Sequence, residues 1–143
     1  MRIEKGNYRG KHLSKVIPDP VISEAVKKKT VDDTITCGDA EYLAHTLSKS
    51  MLEVGIVLDL METQIVKCQL GLFGYSPHQR IVSPAQKIDP KVEEAVKAKL
   101  INGHLLCYEA WEIAKAFSLP RIDISSVCEA IGIKIGPCQL GAF

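Results

Sequence analysis

The chain has 143 residues, of which 46% are hydrophobic and 24% charged, and its formal net charge is +1. This composition excludes a disordered or fibrous protein, and the length suits one compact domain or two small subdomains. The longest apolar runs, such as residues 54–58, have four or five residues, whereas a membrane-spanning helix needs roughly 20. We therefore expect no membrane association. The charged N-terminus lacks the pattern of a signal peptide and predicts a cytoplasmic protein.

A basic N-terminal arm, residues 1–18, is the first predicted element. Residues 1–30 contain eight Lys or Arg and three Asp or Glu, whereas residues 31–80 contain three and seven. Basic side chains that alternate with Gly and Tyr suit contact with a nucleic-acid backbone, and a solvated tail is the alternative. The DNA contacts expected from this arm are Arg2, Lys5, Arg9 and Lys11.

The rest of the chain is a tandem repeat with an offset of 70 residues. The segment KCQLGLF at 67–73 recurs as PCQLGAF at 137–143. The same offset aligns the two halves without a gap and gives 18 identities in 55 positions. This self-similarity predicts duplicated structural units. The predicted organisation after the arm is a first repeat at 19–73, a linker at 74–88 and a second repeat at 89–143.

Each repeat is predicted to contain three helices and two short extended segments. The first helix begins at Asp-Pro in both repeats, because Asp is a good N-cap and Pro suits the first helical turn. A short extended segment leads to the second helix. The third helix begins at Ser50-x-x-Glu53 in one repeat and at Pro120 in the other. The following segments, QIVKCQL and IKIGPCQL, are rich in β-branched residues and predict a strand.

The second and third helices resemble a helix-turn-helix in both repeats. LAHTLSKSMLEVGIVL (43–58) and IAKAFSLPRIDISSVC (113–128) each place a small residue, Ala44 or Ala114, where the two helices would cross. The turn, where this pattern often has Gly, carries Ser in both repeats. With the first helix and the strands, each repeat resembles a winged-helix domain. The resemblance implies a fold that is mainly α with short β-strands, in which two winged-helix-like repeats pack as a pseudo-dimer.

In such a fold the third helix reads the DNA groove. Its expected outward residues in the second repeat include Arg121, Ser125 and Ser126, whose side chains suit bases and phosphates. In the first repeat, by contrast, the outward positions carry Met51 and Ile56 and no basic residue. Adjacent apolar groups on an exposed helix face favour contact with a protein partner or a second copy of the chain.

Four of the five cysteines occupy equivalent positions in the two repeats. They are Cys37, Cys68, Cys107 and Cys138. Pairing of the extended segments would bring two thiols together in each repeat, or four around a pseudo-two-fold axis, which would suit zinc or an iron–sulfur cluster. The alternative, which we prefer, is that these cysteines are small buried residues. Cys128 has no equivalent and is predicted to lie in the core.

Enzyme motifs are absent from the sequence, among them glycine-rich phosphate loops and His-Glu-x-x-His. We therefore expect a non-enzymatic protein. The function expected from the resemblance is that of a small cytosolic DNA-binding or transcription-regulating protein. The alternatives are a metal-binding or redox-sensing module that uses the repeated cysteines, and a protein–protein interaction module.

Overall fold

The computed structural model describes residues 17–143, which form two compact units. The first unit comprises the described residues up to Cys68 together with Gln139–Phe143, and the second comprises Gln69–Cys138. These described residues form six helices and four short strands and are mainly α, which confirms this part of the predicted fold class. The winged-helix resemblance and the pseudo-dimer stay predictions.

The first unit contains three helices and two strands in the predicted order. They are α1 (Pro20–Lys29), β1 (Thr34–Thr36), α2 (Cys37–Thr46), α3 (Met51–Leu60) and β2 (Gln64–Val66). The two strands pair in parallel, with Thr36 opposite Val66. A parallel pair requires a crossover connection, which α2 and α3 supply here.

The second unit repeats this arrangement. Its elements are α4 (Pro90–Ala98), β3 (His104–Leu105), α5 (Cys107–Phe117), α6 (Arg121–Ile131) and β4 (Lys134–Ile135). The strands β3 and β4 are also parallel, with Leu105 opposite Ile135. Within residues 17–143 each third helix is followed by one strand, so the described chain has no antiparallel wing hairpin.

Local capping explains where the helices of the first unit begin. The Asp19 carboxylate accepts hydrogen bonds from the N–H groups of Val21 and Ile22 at the start of α1. Ser50 and Glu53 form a complete capping box at the start of α3, as the sequence predicts. Pro120 differs slightly from its predicted place in the first turn, because it is the N-cap of α6.

A hydrophobic core fills each unit. In the first unit it includes Ile22 and Val26 on α1, and Val54 and Leu58 on α3, all of which are at most 1% exposed. Equivalent helix positions in the second unit carry Val92, Val96, Ile124 and Cys128, which are also buried. The expectation that Cys128 belongs to the core is confirmed. Burial of these side chains supplies the main favourable term for folding each unit.

The compact units and the predicted repeats differ at the last five residues of each repeat. Gln69–Phe73, which we call the first tail, belongs to the second unit, and Gln139–Phe143, the second tail, belongs to the first unit. Both tails carry Gln-Leu-Gly-x-Phe. Their leucines, Leu70 and Leu140, are fully buried. Each unit is therefore built from the helices of one repeat and the tail of the other.

Candidate nucleic-acid interface

Arg121 is the first residue of α6, directly after the N-cap Pro120. Its guanidinium carbon lies 3.6 Å from the centroid of the Trp111 ring on α5. Trp111 is only 9% exposed, while Arg121 is partly exposed. Such a cation–π contact contributes about 0.5–2 kcal/mol and limits the rotamers of the arginine. The structure thus holds Arg121 at the end of a helix in a restricted orientation.

The sequence does not predict this pair. The first-repeat equivalents of Trp111 and Arg121 are Glu41 and Met51, but most aligned positions differ between the repeats, so the sequence carries no specific signal for this contact.

Ser125 corrects the predicted DNA-reading face. It was expected to point outward, but it is 1% exposed, and its hydroxyl oxygen is buried without a hydrogen-bond partner in the structure. The reason is the width of the buried face of α6, which includes Ile124, Ser125, Val127 and Cys128. Because Ser125 lies inside the unit, it is not available to contact DNA in this conformation.

The linker runs along one side of α6 and covers the neighbourhood of Ser126. The N–H of Ala85 donates to the carbonyl oxygen of Ser126 at 3.0 Å. One turn further on, Arg80 forms an ion pair with Glu129. Ser126 itself is partly buried. This side of α6 is therefore occupied by residues of the linker, and the reading surface is narrower than the sequence predicts.

The predicted arm contacts Arg2, Lys5, Arg9 and Lys11 lie outside the described residues. Within the described part of the first unit, the basic side chains that cluster are Lys27, Lys28 and Lys29, in the last turn of α1. The ammonium group of Lys29 lies 5.1 Å from the centroid of the Tyr42 ring. Cations at a helix C-terminus also interact favourably with the helix dipole, so a structural role accounts for these lysines.

The predicted partner residues of the first repeat are only partly exposed. Met51 and Ile56 on α3 are both partly buried, whereas Leu52, between them in sequence, is 62% exposed. Neither Met51 nor Ile56 is enclosed by the unit. An apolar contact through this helix stays a prediction, with Leu52 as its most accessible side chain.

The structure does not bring the four repeated cysteines into one metal site. Across residues 17–143 no group of three or more His, Cys, Asp or Glu side chains is arranged to hold a metal ion. The four-thiolate zinc or iron–sulfur alternative at Cys37, Cys68, Cys107 and Cys138 is therefore not formed in this conformation, whereas the preferred interpretation as buried residues holds for all but Cys138. These cysteines are in no disulfide, and all but Cys138 are buried.

The predicted strand pairing does occur, with one difference. Cys68 and Cys138 follow β2 and β4 rather than lying within them. Each unit still places one cysteine after each of its two paired strands, at the same end of the ladder. A redox role for these thiol pairs stays a prediction.

Among the described helices, none has both the length and the apolar composition needed to cross a membrane.

Comparison with known proteins found no matching family model, no matching curated protein and no matching solved structure.

Proposed function

We propose that this chain is a small non-enzymatic DNA-binding protein that regulates transcription, with two winged-helix-like repeats. The order helix, strand, helix, helix, strand in both units supports this proposal. In the proposed complex the N-terminal end of α6 enters the groove, and the basic arm contacts the phosphates. Of the residues proposed from the sequence, Arg121 and the arm keep this role.

The observation that carries the proposal is the placement of Arg121. A base-reading side chain at the start of a recognition helix must be accessible and restricted in its rotamers. Arg121 meets both conditions, because it is the first residue of α6, is partly exposed and stacks on Trp111. Arginine also has the fork geometry that suits the O6 and N7 atoms of guanine.

Charge disfavours a DNA contact by the first unit and supports one by the arm. The described part of the first unit, residues 17–68 and 139–143, contains five Lys or Arg and nine Asp or Glu. The second unit contains eight Lys or Arg and seven Asp or Glu, and residues 1–16 contain five Lys or Arg and one Glu. The net negative charge of the first unit repels a phosphate backbone, whereas the net positive charge of residues 1–16 attracts it.

Trp111 provides a direct test, since it is the only tryptophan in the chain. We expect its fluorescence to change when duplex DNA engages Arg121, and a labelled duplex of mixed sequence to bind at low salt by anisotropy. Arg121→Ala should weaken binding by about 1–3 kcal/mol if this side chain reads a base. Arg121→Lys keeps the positive charge but loses the planar guanidinium and its two parallel hydrogen bonds. It should therefore also weaken binding if Arg121 contacts a base through both bonds.

Lys115→Ala is the matched control, because it removes one positive charge from an exposed position near the end of α5. It should change binding less than Arg121→Ala does. Removal of residues 1–15 should flatten the dependence of affinity on salt, since fewer counterions are released. An absence of binding at low salt, or equal effects of Arg121→Ala and Lys115→Ala, would contradict the proposed role of α6.

The exposure of Leu52 favours a second candidate function, a protein-interaction module based on α3. In that case replacement of Met51 and Ile56 by Ser should weaken self-association or partner binding and leave DNA affinity per chain nearly unchanged. Sedimentation and anisotropy on the same samples separate the two functions.

A further inference from the structure

The second tail fits the first unit through an unusually close backbone contact. Gly55 lies in the middle of α3 and is buried. A Cβ atom added to Gly55 would lie 2.7 Å from the carbonyl carbon of Leu140, and closer still to the carbonyl oxygen. Because these are backbone atoms, they cannot move aside as a flexible side chain would. Gly55 therefore forms the floor of a cleft that holds the backbone of the second tail.

The leucine of the tail anchors this contact. Leu140 is 1% exposed, so its side chain is buried in the core of the first unit. Residues just before the tail, up to Cys138, belong to the second unit. The segment thus behaves as a short peptide that leaves one unit and completes the core of another, which is the arrangement found in exchanged segments.

The glycines of the two tails have different surroundings. In the second unit, the Gly71 carbonyl oxygen of the first tail accepts N–H bonds from Ile81 and Val82 at 2.9 and 3.2 Å. A Cβ at Gly71 would also contact Ile122 at 2.7 Å. In the first unit, by contrast, Gly141 is exposed, and a Cβ there would meet nothing within 4 Å. The space beside Gly141 is therefore open, whereas the space beside Gly71 is filled by side chains.

We propose that the Gly55 cleft is a peptide-binding site whose partner is the second tail of another copy of this chain, so that two chains exchange Gln139–Phe143. The contact in the exchanged dimer is the same as the contact in one chain, so association requires no new surface. A single chain benefits from the high effective concentration of its own tail, so the exchanged form accumulates as protein concentration rises.

A complementation experiment with full-length chains tests this exchange. Gly55→Leu blocks the cleft but leaves the tail intact, whereas Leu140→Asp damages the tail but leaves the cleft intact. Neither variant can form the contact alone, either within one chain or between identical chains. In a mixture, the intact tail of the Gly55→Leu chain can fill the intact cleft of the Leu140→Asp chain. We expect a 1:1 complex with twice the mass of one chain in the mixture only.

Light scattering after size-exclusion chromatography measures this mass, and thermal unfolding of the mixture should show a transition that neither variant shows alone. Gly55→Ala and Leu140→Ala form a milder pair for use if a stronger variant does not fold. The unmodified chain is the matched control: its own tail fills its own cleft at high effective concentration, so at equal protein concentration it should form less two-chain complex with either variant than the two variants form with each other. A mixture whose mass and unfolding curve equal the sum of its separate components, for both pairs, would overturn the proposal.

Discussion

Ser48 and Ser118, which are equivalent in the two repeats, adopt the same left-handed backbone conformation, each with a φ of 55°. Both lie at the C-terminal end of a helix, and an equivalent backbone hydrogen bond caps that end in each repeat. The N–H of Lys49 donates to the Ala44 carbonyl oxygen, and that of Leu119 to the Ala114 carbonyl oxygen, each at 2.9 Å. This is the Schellman geometry in which Gly is the preferred residue. The serines therefore perform the role that Gly has in the resembled turn.

Replacement of either serine by Gly should stabilise the chain. A left-handed conformation costs a residue with a Cβ about 1–2 kcal/mol, and the greater entropy of Gly in the unfolded chain offsets part of that gain. We expect a net increase of about 0.5–1 kcal/mol in the free energy of unfolding for Ser48→Gly or Ser118→Gly. Urea unfolding measures it. Ser48→Ala, which keeps the Cβ, should give no gain, and an equal gain from Ala would contradict the conformational explanation.

The end of α6 allows the reverse test. Gly132 has a φ of 74°, and a Cβ there would meet nothing within 4 Å. Gly132→Ala should thus lower the free energy of unfolding by about 1 kcal/mol through backbone conformation alone. Gly132→Asn should cost less, because Asn tolerates this region better. Equal stability of the Ala variant and the original chain would show that the end of α6 relaxes out of this conformation.

Acid should destabilise the first unit through its helix caps. Hydrogen bonds from the Ile22 and Val21 N–H groups lower the pKa of Asp19, and those from Ser50 lower the pKa of Glu53. A carboxyl whose pKa is lower in the folded state stabilises the fold above its unfolded pKa, which is about 4. That contribution is lost as the pH falls through the folded pKa.

The measurement is the urea midpoint between pH 7 and pH 2.5. Glu53→Gln removes the titrating group, so its midpoint should fall less steeply with acid than that of the original chain. Glu94→Gln, an exposed glutamate on α4, provides a matched control. If Glu53→Gln and Glu94→Gln gave the same acid dependence as the original chain, the capping box would have no electrostatic role.

Alkaline pH should destabilise the second unit through Cys128. Burial, with a smaller effect of the neighbouring Glu129, raises the pKa of this thiol to about 11. In the unfolded chain the thiol ionises near its usual pKa of about 8.5. Between these values the unfolded state releases a proton that the folded state keeps, so stability falls as pH rises. Cys128→Ala should show a shallower loss of urea midpoint from pH 8 to pH 10.5, and an unchanged slope would contradict this assignment.

Local chemistry in the sequence was sufficient to predict the elements of the fold. Asp19-Pro20 and the Ser50-x-x-Glu53 box locate helix starts because capping depends on residues within one turn. The 70-residue offset identified the duplication, since equivalent core positions retain similar side chains. The glycines of the repeated Cys-Gln-Leu-Gly, Gly71 and Gly141, both have a positive φ, of 72° and 80°.

Tertiary structure alone decided three other features. The burial of Ser125 depends on how far α6 turns into the core, and helical periodicity does not specify this for a residue at the margin of the buried face. The position of the linker along α6 rests on contacts such as Ala85 with Ser126, between residues far apart in sequence. The placement of each tail in the unit formed by the other repeat has the clearest physical reason. Both tails carry Gln-Leu-Gly-x-Phe and both repeats build similar units. The sequence therefore does not distinguish packing of a tail on its own repeat from packing on the other repeat. Only the packing of the whole chain determines which core each leucine enters.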